Sequence, residues 1–189
     1  MVPIREDYGD YCPPPWVRKT VHRLLSSLSD AHVAGLSAIV LTEAAKIRKG
    51  KSHRVAGKKY RLNECLGLYR PRRGGEPPVI LLIVDNVLAQ NEGIPRLQFA
   101  RDFALGEVLF HEVGHHLDAI VGSQAAGPEA SANAWERRLS HIHIRRKYWY
   151  LRVVWKPVRY AARRLLSWSE RRRTQYRTAA APKRRRLRD

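Results

Sequence analysis

Cysteine is nearly absent. Cys12 and Cys65 are the only two in 189 residues, far apart and in no metal-ligand spacing, so two free thiols in a reducing compartment are expected. Long apolar runs are absent too. The longest, residues 79–84, has six positions, too few for a membrane span. The opening stretch, MVPIREDYGDYCPPPW, holds no apolar h-region, so no secretory signal is expected and the protein is read as cytoplasmic. No internal repeat is visible. Acidic residues almost vanish from the C-terminal part. Residues 137–189 carry 19 Lys and Arg against two carboxylates, a net of +17 out of +19 for the whole chain. The remainder is close to neutral, so the basicity belongs to the end of the chain and not to the body.

What is present suits one domain with a tail. Residues 1–15 read as an irregular arm, since Pro13, Pro14 and Pro15 oppose a helix before them and favour one just after. Val17, Val21, Leu24, Leu25 and Leu28 recur at helical spacing and predict a helix over 16–28. Strands are expected at 36–41, 65–69 and 79–84, the last two joined as a hairpin through a Gly- and Pro-rich turn at 72–78. Residues 46–61 and 85–95 read as connections. A helix is expected over 96–120, and another from Pro128 to about residue 155, with Pro157 stopping or kinking it. The domain expected from these elements covers 16–147. A basic, aromatic helical extension follows at 148–169, and a disordered basic tail at 170–189.

The stretch that carries chemistry is 109–118, LFHEVGHHLD. His111, Glu112 and His115 have the spacing His-Glu-x-x-His. On a helix the two histidines stand one turn apart on one face, where they can share a Zn²⁺ ion, and Glu112 is near enough to take a proton from a metal-activated water. In a chain of this composition the pattern arises by chance about 0.02 times. Phe103, Phe110, Val113, Leu117 and Ile120 project to one side of the helix. His111, His115 and Asp118 project to another, so one face can enter a core while the other lines a cleft. His116 points away from the pair.

A catalytic zinc takes three protein ligands and an open position. Downstream carboxylates are Asp118, Glu129 and Glu136. Glu129 opens the helix after Pro128, and Asn133 follows one turn later on the same face, placed to hold an imidazole from behind. Glu136 is the reserve ligand. Asp118, one turn past His115, is expected to orient a histidine or close the helix end. His141 and His143 are candidate oxyanion stabilisers, set against the simpler reading of solvated histidines on a basic helix.

HEVGH followed by PEASANAW resembles the gluzincin group of zinc peptidases, and within it the small ImmA/IrrE-type bacterial domains. The resemblance covers roughly residues 30–140. It implies an α+β, zincin-like fold: a small sheet, an HExxH helix and a following helix that supplies the third ligand. The residues matched are His111, Glu112, His115, Glu129 and Asn133. It also implies peptide-bond hydrolysis by metal-activated water with Glu112 as general base, on a protein or peptide laid along an exposed strand edge, for which 65–69 is the candidate.

Residues 145–188 interleave Arg and Lys with Tyr148, Trp149, Tyr150, Trp155, Tyr160, Trp168 and Tyr176. Such a segment binds nucleic acid or another polyanion through phosphate neutralisation and stacking. The competing function is a nucleic-acid-binding or regulatory protein on a zincin scaffold with little peptidase activity. An intact Glu112 favours the enzyme, since a binding scaffold needs no general base.

Overall fold

An apolar run without alternation needs cover on both faces, and the run at 79–83 has it. The computed structural model describes residues 2–47, 52–55, 58–91, 97–122 and 127–150. The chain divides into two units, Met1–Lys147 and Tyr148–Asp189. In order, the first contains β1 (Ile4–Asp7), α1 (Trp16–Leu25), β2 (Ala38–Thr42), β3 (Ser52–Val55), β4 (Lys58–Arg61), β5 (Gly67–Arg70), β6 (Val79–Ile83), α2 (Val84–Gln90), α3 (Gln98–Val121) and α4 (Pro128–Lys147). The architecture is mixed α/β, with a small four-stranded sheet and four helices among the described residues.

The sheet order is β1-β2-β6-β5. β1, β2 and β6 run parallel, and β5 is antiparallel to β6, forming the hairpin expected from sequence. Side chains alternate across the sheet. Ile39, Leu41, Ile80 and Leu82 face α1 and α3, packing with Val17, Val21, Leu24, Leu105, Leu109 and Val113. Leu81 and Ile83 face the other way, onto Ile47 and the partly buried Val40, Leu68 and Cys65. None of the described helices is long and apolar enough to cross a membrane.

Several expectations are corrected. The arm at 1–15 is not irregular throughout: Ile4–Asp7 is a strand. Beyond it, the buried Glu43 accepts the backbone N–H groups of Gly9 and Tyr11 at 2.9 and 3.0 Å, which ties the rest of the arm down. Only one of its four strand residues is partly buried, so alternation had little to register. The expected loop at 46–61 contains the hairpin β3–β4. The connection at 85–95 begins as α2, which buries Val84 and Val87. α1 stops at Leu25, short of the expected residue 28, and α4 stops at Lys147, short of 155. Parallel pairing of β1 with β2 and of β2 with β6 was not foreseen. The helical extension from 151 and the tail at 170–189 lie outside the described residues.

Candidate metal centre

α3 is a long helix that divides its faces sharply. Leu105, Leu109, Phe110, Val113 and Leu117 enter the core, while His111 and His115 remain partly open. Phe103 and Ile120, expected on the core side, are 59% and 57% exposed, because the core reaches only the middle of the helix. Gly122 ends α3 in the left-handed region, φ 67°, and donates its N–H to the Asp118 carbonyl at 2.8 Å.

α4 packs directly across the motif. Gly114 lies inside HEVGH, and a Cβ placed there would stand 2.7 Å from the Ala132 carbonyl oxygen and 2.9 Å from its Cα. Bare backbone on α3 and the small, fully buried Ala132 on α4 let the helices approach this closely. The Ser131 hydroxyl donates to the Asp118 carboxylate at 2.7 Å, a second tie between them. Glu129 is thereby carried to the histidines.

His111 Nε2 and His115 Nε2 face one another at 3.2 Å, their rings nearly perpendicular. Glu129 Oε2 lies 3.5 Å from His111 Nε2, and Oε1 lies 3.6 Å from His115 Nε2. One ligand atom from each of the three residues lies within 4.8 Å of the other two, close enough to converge on a single ion. These three residues could hold a metal ion. Behind His111, Glu136 Oε2 is 3.8 Å from Nδ1. That is too long for a hydrogen bond, but the negative charge favours the Nδ1–H tautomer, which turns the Nε2 lone pair toward His115 and Glu129. Burial, helped by Glu107, raises the Glu136 carboxyl above its usual range, and His111 opposes the shift.

Glu112, next to His111 in sequence, reaches β5. It is buried, and its Oε2 accepts the Tyr69 backbone N–H at 2.6 Å. Burial pushes its carboxyl up to about 7, with the Glu129 charge adding to the rise and the Tyr69 N–H opposing it. Gly67 is shaped to this side chain: a Cβ there would sit 2.7 Å from Glu112 Cγ. β5 is an edge strand among the described residues. Ile83 N–H donates to the Leu66 carbonyl at 2.9 Å, and the register continues as Gly67↔Leu82 to Arg70↔Val79. Leu68 and Arg70 therefore turn their backbone groups to β6, while Gly67 and Tyr69 turn theirs outward beside Glu112.

The remaining expectations divide. Asn133 is exposed and makes no hydrogen bond to a motif histidine among the described residues. The place behind His111 belongs to Glu136, one turn further along α4. Asp118 does not orient a histidine; it ties α3 to Ser131 and accepts the helix-ending N–H of Gly122. His141 is exposed. His143 is buried between Ser27 Oγ at 2.9 Å and Asp102 Oδ2 at 3.1 Å, so its ring is engaged in the core and not turned to the candidate metal ligands. Asp102 also takes the Arg23 guanidinium at both oxygens, so this network clamps α1, α3 and α4 together. His116, as expected, faces away. Its Nε2 must donate to the Ala34 carbonyl at 2.9 Å, which leaves Nδ1 to accept from the Tyr69 hydroxyl at 3.3 Å. Its burial lowers its pKa, in keeping with the neutral ring. Sequence reasoning missed Gly114, Gly67 and Tyr69, because each acts through its backbone. Only the glycine inside the motif carried a visible signal.

Comparison with protein-family models, with curated proteins and with solved structures finds no match in any of the three.

Proposed function

We propose that the chain is a zinc-dependent endopeptidase of zincin type, with His111, His115 and Glu129 as ligands and Glu112 as general base. The observation that carries this is the cluster of His111, His115 and Glu129 donors, with the buried Glu112 carboxyl, raised to about 7, on the same helix as the two histidines. Two imidazoles and one carboxylate suit zinc, as a borderline-soft ion with an open fourth position. Zinc bound there would lower the pKa of a coordinated water towards about 7 and polarise the scissile carbonyl.

The chain's own residues do the rest. Glu112 takes a proton at Oε1 or Oε2 and returns it to the leaving amine, a role for which a pKa near the working pH is favourable. The Glu136 carboxylate behind His111 favours the tautomer with the proton on Nδ1. The outward carbonyl and N–H groups of Gly67 and the carbonyl of Tyr69 accept a substrate strand added to the free edge of β5. The scissile bond then lies between that edge and the two histidines.

Zinc analysis and cleavage assays on one set of variants test this. Glu112→Gln should keep stoichiometric zinc and lose cleavage by at least a hundredfold. Glu129→Gln should lose stoichiometric zinc, and Glu136→Gln should weaken zinc affinity by about 10–100-fold while still binding. Full zinc content in Glu129→Gln would remove it from the ligand set. Undiminished cleavage in Glu112→Gln would move the activity elsewhere and leave a binding scaffold as the better reading.

A further inference from the structure

The edge of β5, free among the described residues, leads into three arginines, with Glu76 the one acidic residue of the same turn. Arg70 ends the strand, Arg72 and Arg73 enter the turn that follows, and all three are exposed. Among the described residues, none of them pairs with a carboxylate. The turn is held by its backbone instead. Arg73 and Glu76 exchange hydrogen bonds at 3.3 and 3.0 Å around Gly74 and Gly75, whose φ values of 58° and 87° suit glycine. The guanidinium groups are therefore not consumed in making the fold. Before the start of β5 the situation differs: Arg61 is already paired with Glu64 at 3.6 Å.

The spacing places these arginines along a bound strand. Tyr69 N–H touches Glu112, which marks the reacting position. At about 3.3 Å per residue, the backbone of Arg72 and Arg73 lies roughly 10–13 Å further on, the length of three or four substrate residues. Antiparallel pairing is the commoner arrangement, and it sets the residues N-terminal to the scissile bond against this end of β5.

We infer that β5 and its turn select extended acidic peptides, with Asp or Glu two to five residues N-terminal to the cleaved bond. The inference rests on the peptidase reading of the metal centre and names its substrate class. Exposed ion pairs each contribute a few-fold, so three acting on one strand give a preference on the order of tenfold, fading as salt is raised.

The test uses the full-length, zinc-loaded protein and peptides identical except for Glu, Gln or Lys at those positions. The wild type should show kcat/KM on the order of tenfold higher for Glu than for Lys, and the Arg72→Glu, Arg73→Glu double variant should invert that order. Equal rates across the series, an acidic preference confined to the C-terminal side, or a preference that survives the double charge reversal would overturn the inference. A parallel arm measures fluorescence anisotropy of the same labelled peptides on zinc-loaded Glu112→Gln, with and without the arginine substitutions. The basic tail is present in both proteins, so the difference reports the edge alone. If no peptide is cleaved by any form, the peptidase reading fails, and the anisotropy arm still decides. Acidic-peptide binding several-fold weaker after charge reversal upholds the edge, and unchanged binding removes it.

Discussion

Glu112 shows how one side chain is prepared by two others that come from distant parts of the chain. Its carboxyl packs on Gly67 and accepts from Tyr69, and both contacts depend on β5 lying against α3. Burial raises its pKa to about 7, which has a consequence for the metal-free protein. A carboxyl whose pKa is higher folded than unfolded favours the folded state when protonated. That contribution is full below the ordinary value of about 4.5 and is lost as pH rises through about 7. Glutamine keeps the acceptor for Tyr69 and never ionises. At pH 8, Glu112→Gln should therefore stabilise the metal-free protein by about 1–3 kcal/mol, and at about pH 4 the two should be nearly equal. Urea denaturation at the two pH values measures this, and a constant difference between them would count against the raised pKa.

At the scale of elements, the α3–α4 contact decides whether a metal site exists. Gly114→Val would drive methyl groups into the Ala132 backbone, which cannot yield as a flexible side chain would. The expected cost is about 1–3 kcal/mol of stability together with weaker zinc binding, because Glu129 moves away with α4. Thermal denaturation and zinc titration measure the two effects. A variant with normal zinc affinity would show that the close approach is not what delivers Glu129. The same contact explains what was legible in the sequence. HExxH is a local pattern on one helix, and Glu129 opens the next, so His111, Glu112, His115 and Glu129 could be read from spacing and helix starts. The strands β2, β5 and β6 were visible as apolar or β-branched runs. β1 was not, because three of its four residues are exposed. α2 was hidden in a stretch taken for a connection. Asn133 and Glu136 share a face of α4 with Glu129, and only the crossing angle of the two helices decides which of them stands behind His111. The destination of His143 depends on Asp102 and Ser27, 41 and 116 residues away, and no local pattern reports such a partner.

For the molecule as a whole, charge is spread unevenly along the sequence. The candidate metal ligands lie within residues 1–136, which are nearly balanced in charge, and the excess positive charge follows them in sequence from residue 137. Removing residues 170–189 deletes nine basic residues and two acidic ones. Binding to RNA, DNA or anionic lipid should weaken, and the slope of log affinity against log salt should flatten, while zinc affinity stays the same. Equal binding by the shortened protein would place the polyanion contacts elsewhere. The distribution of the site along the chain has its own consequence. The three donors belong to two consecutive helices that meet as a hairpin, whereas the groups that tune Glu112 come from a strand 43 residues upstream. Capture of the ion needs only the hairpin, and proton transfer needs the sheet docked upon it. On the peptidase reading, a half-assembled chain would bind the ion without being able to cleave a peptide. In a urea titration of the zinc-loaded protein, cleavage should therefore vanish at a lower concentration than the one that releases the ion, and simultaneous loss would tie the two events to a single transition.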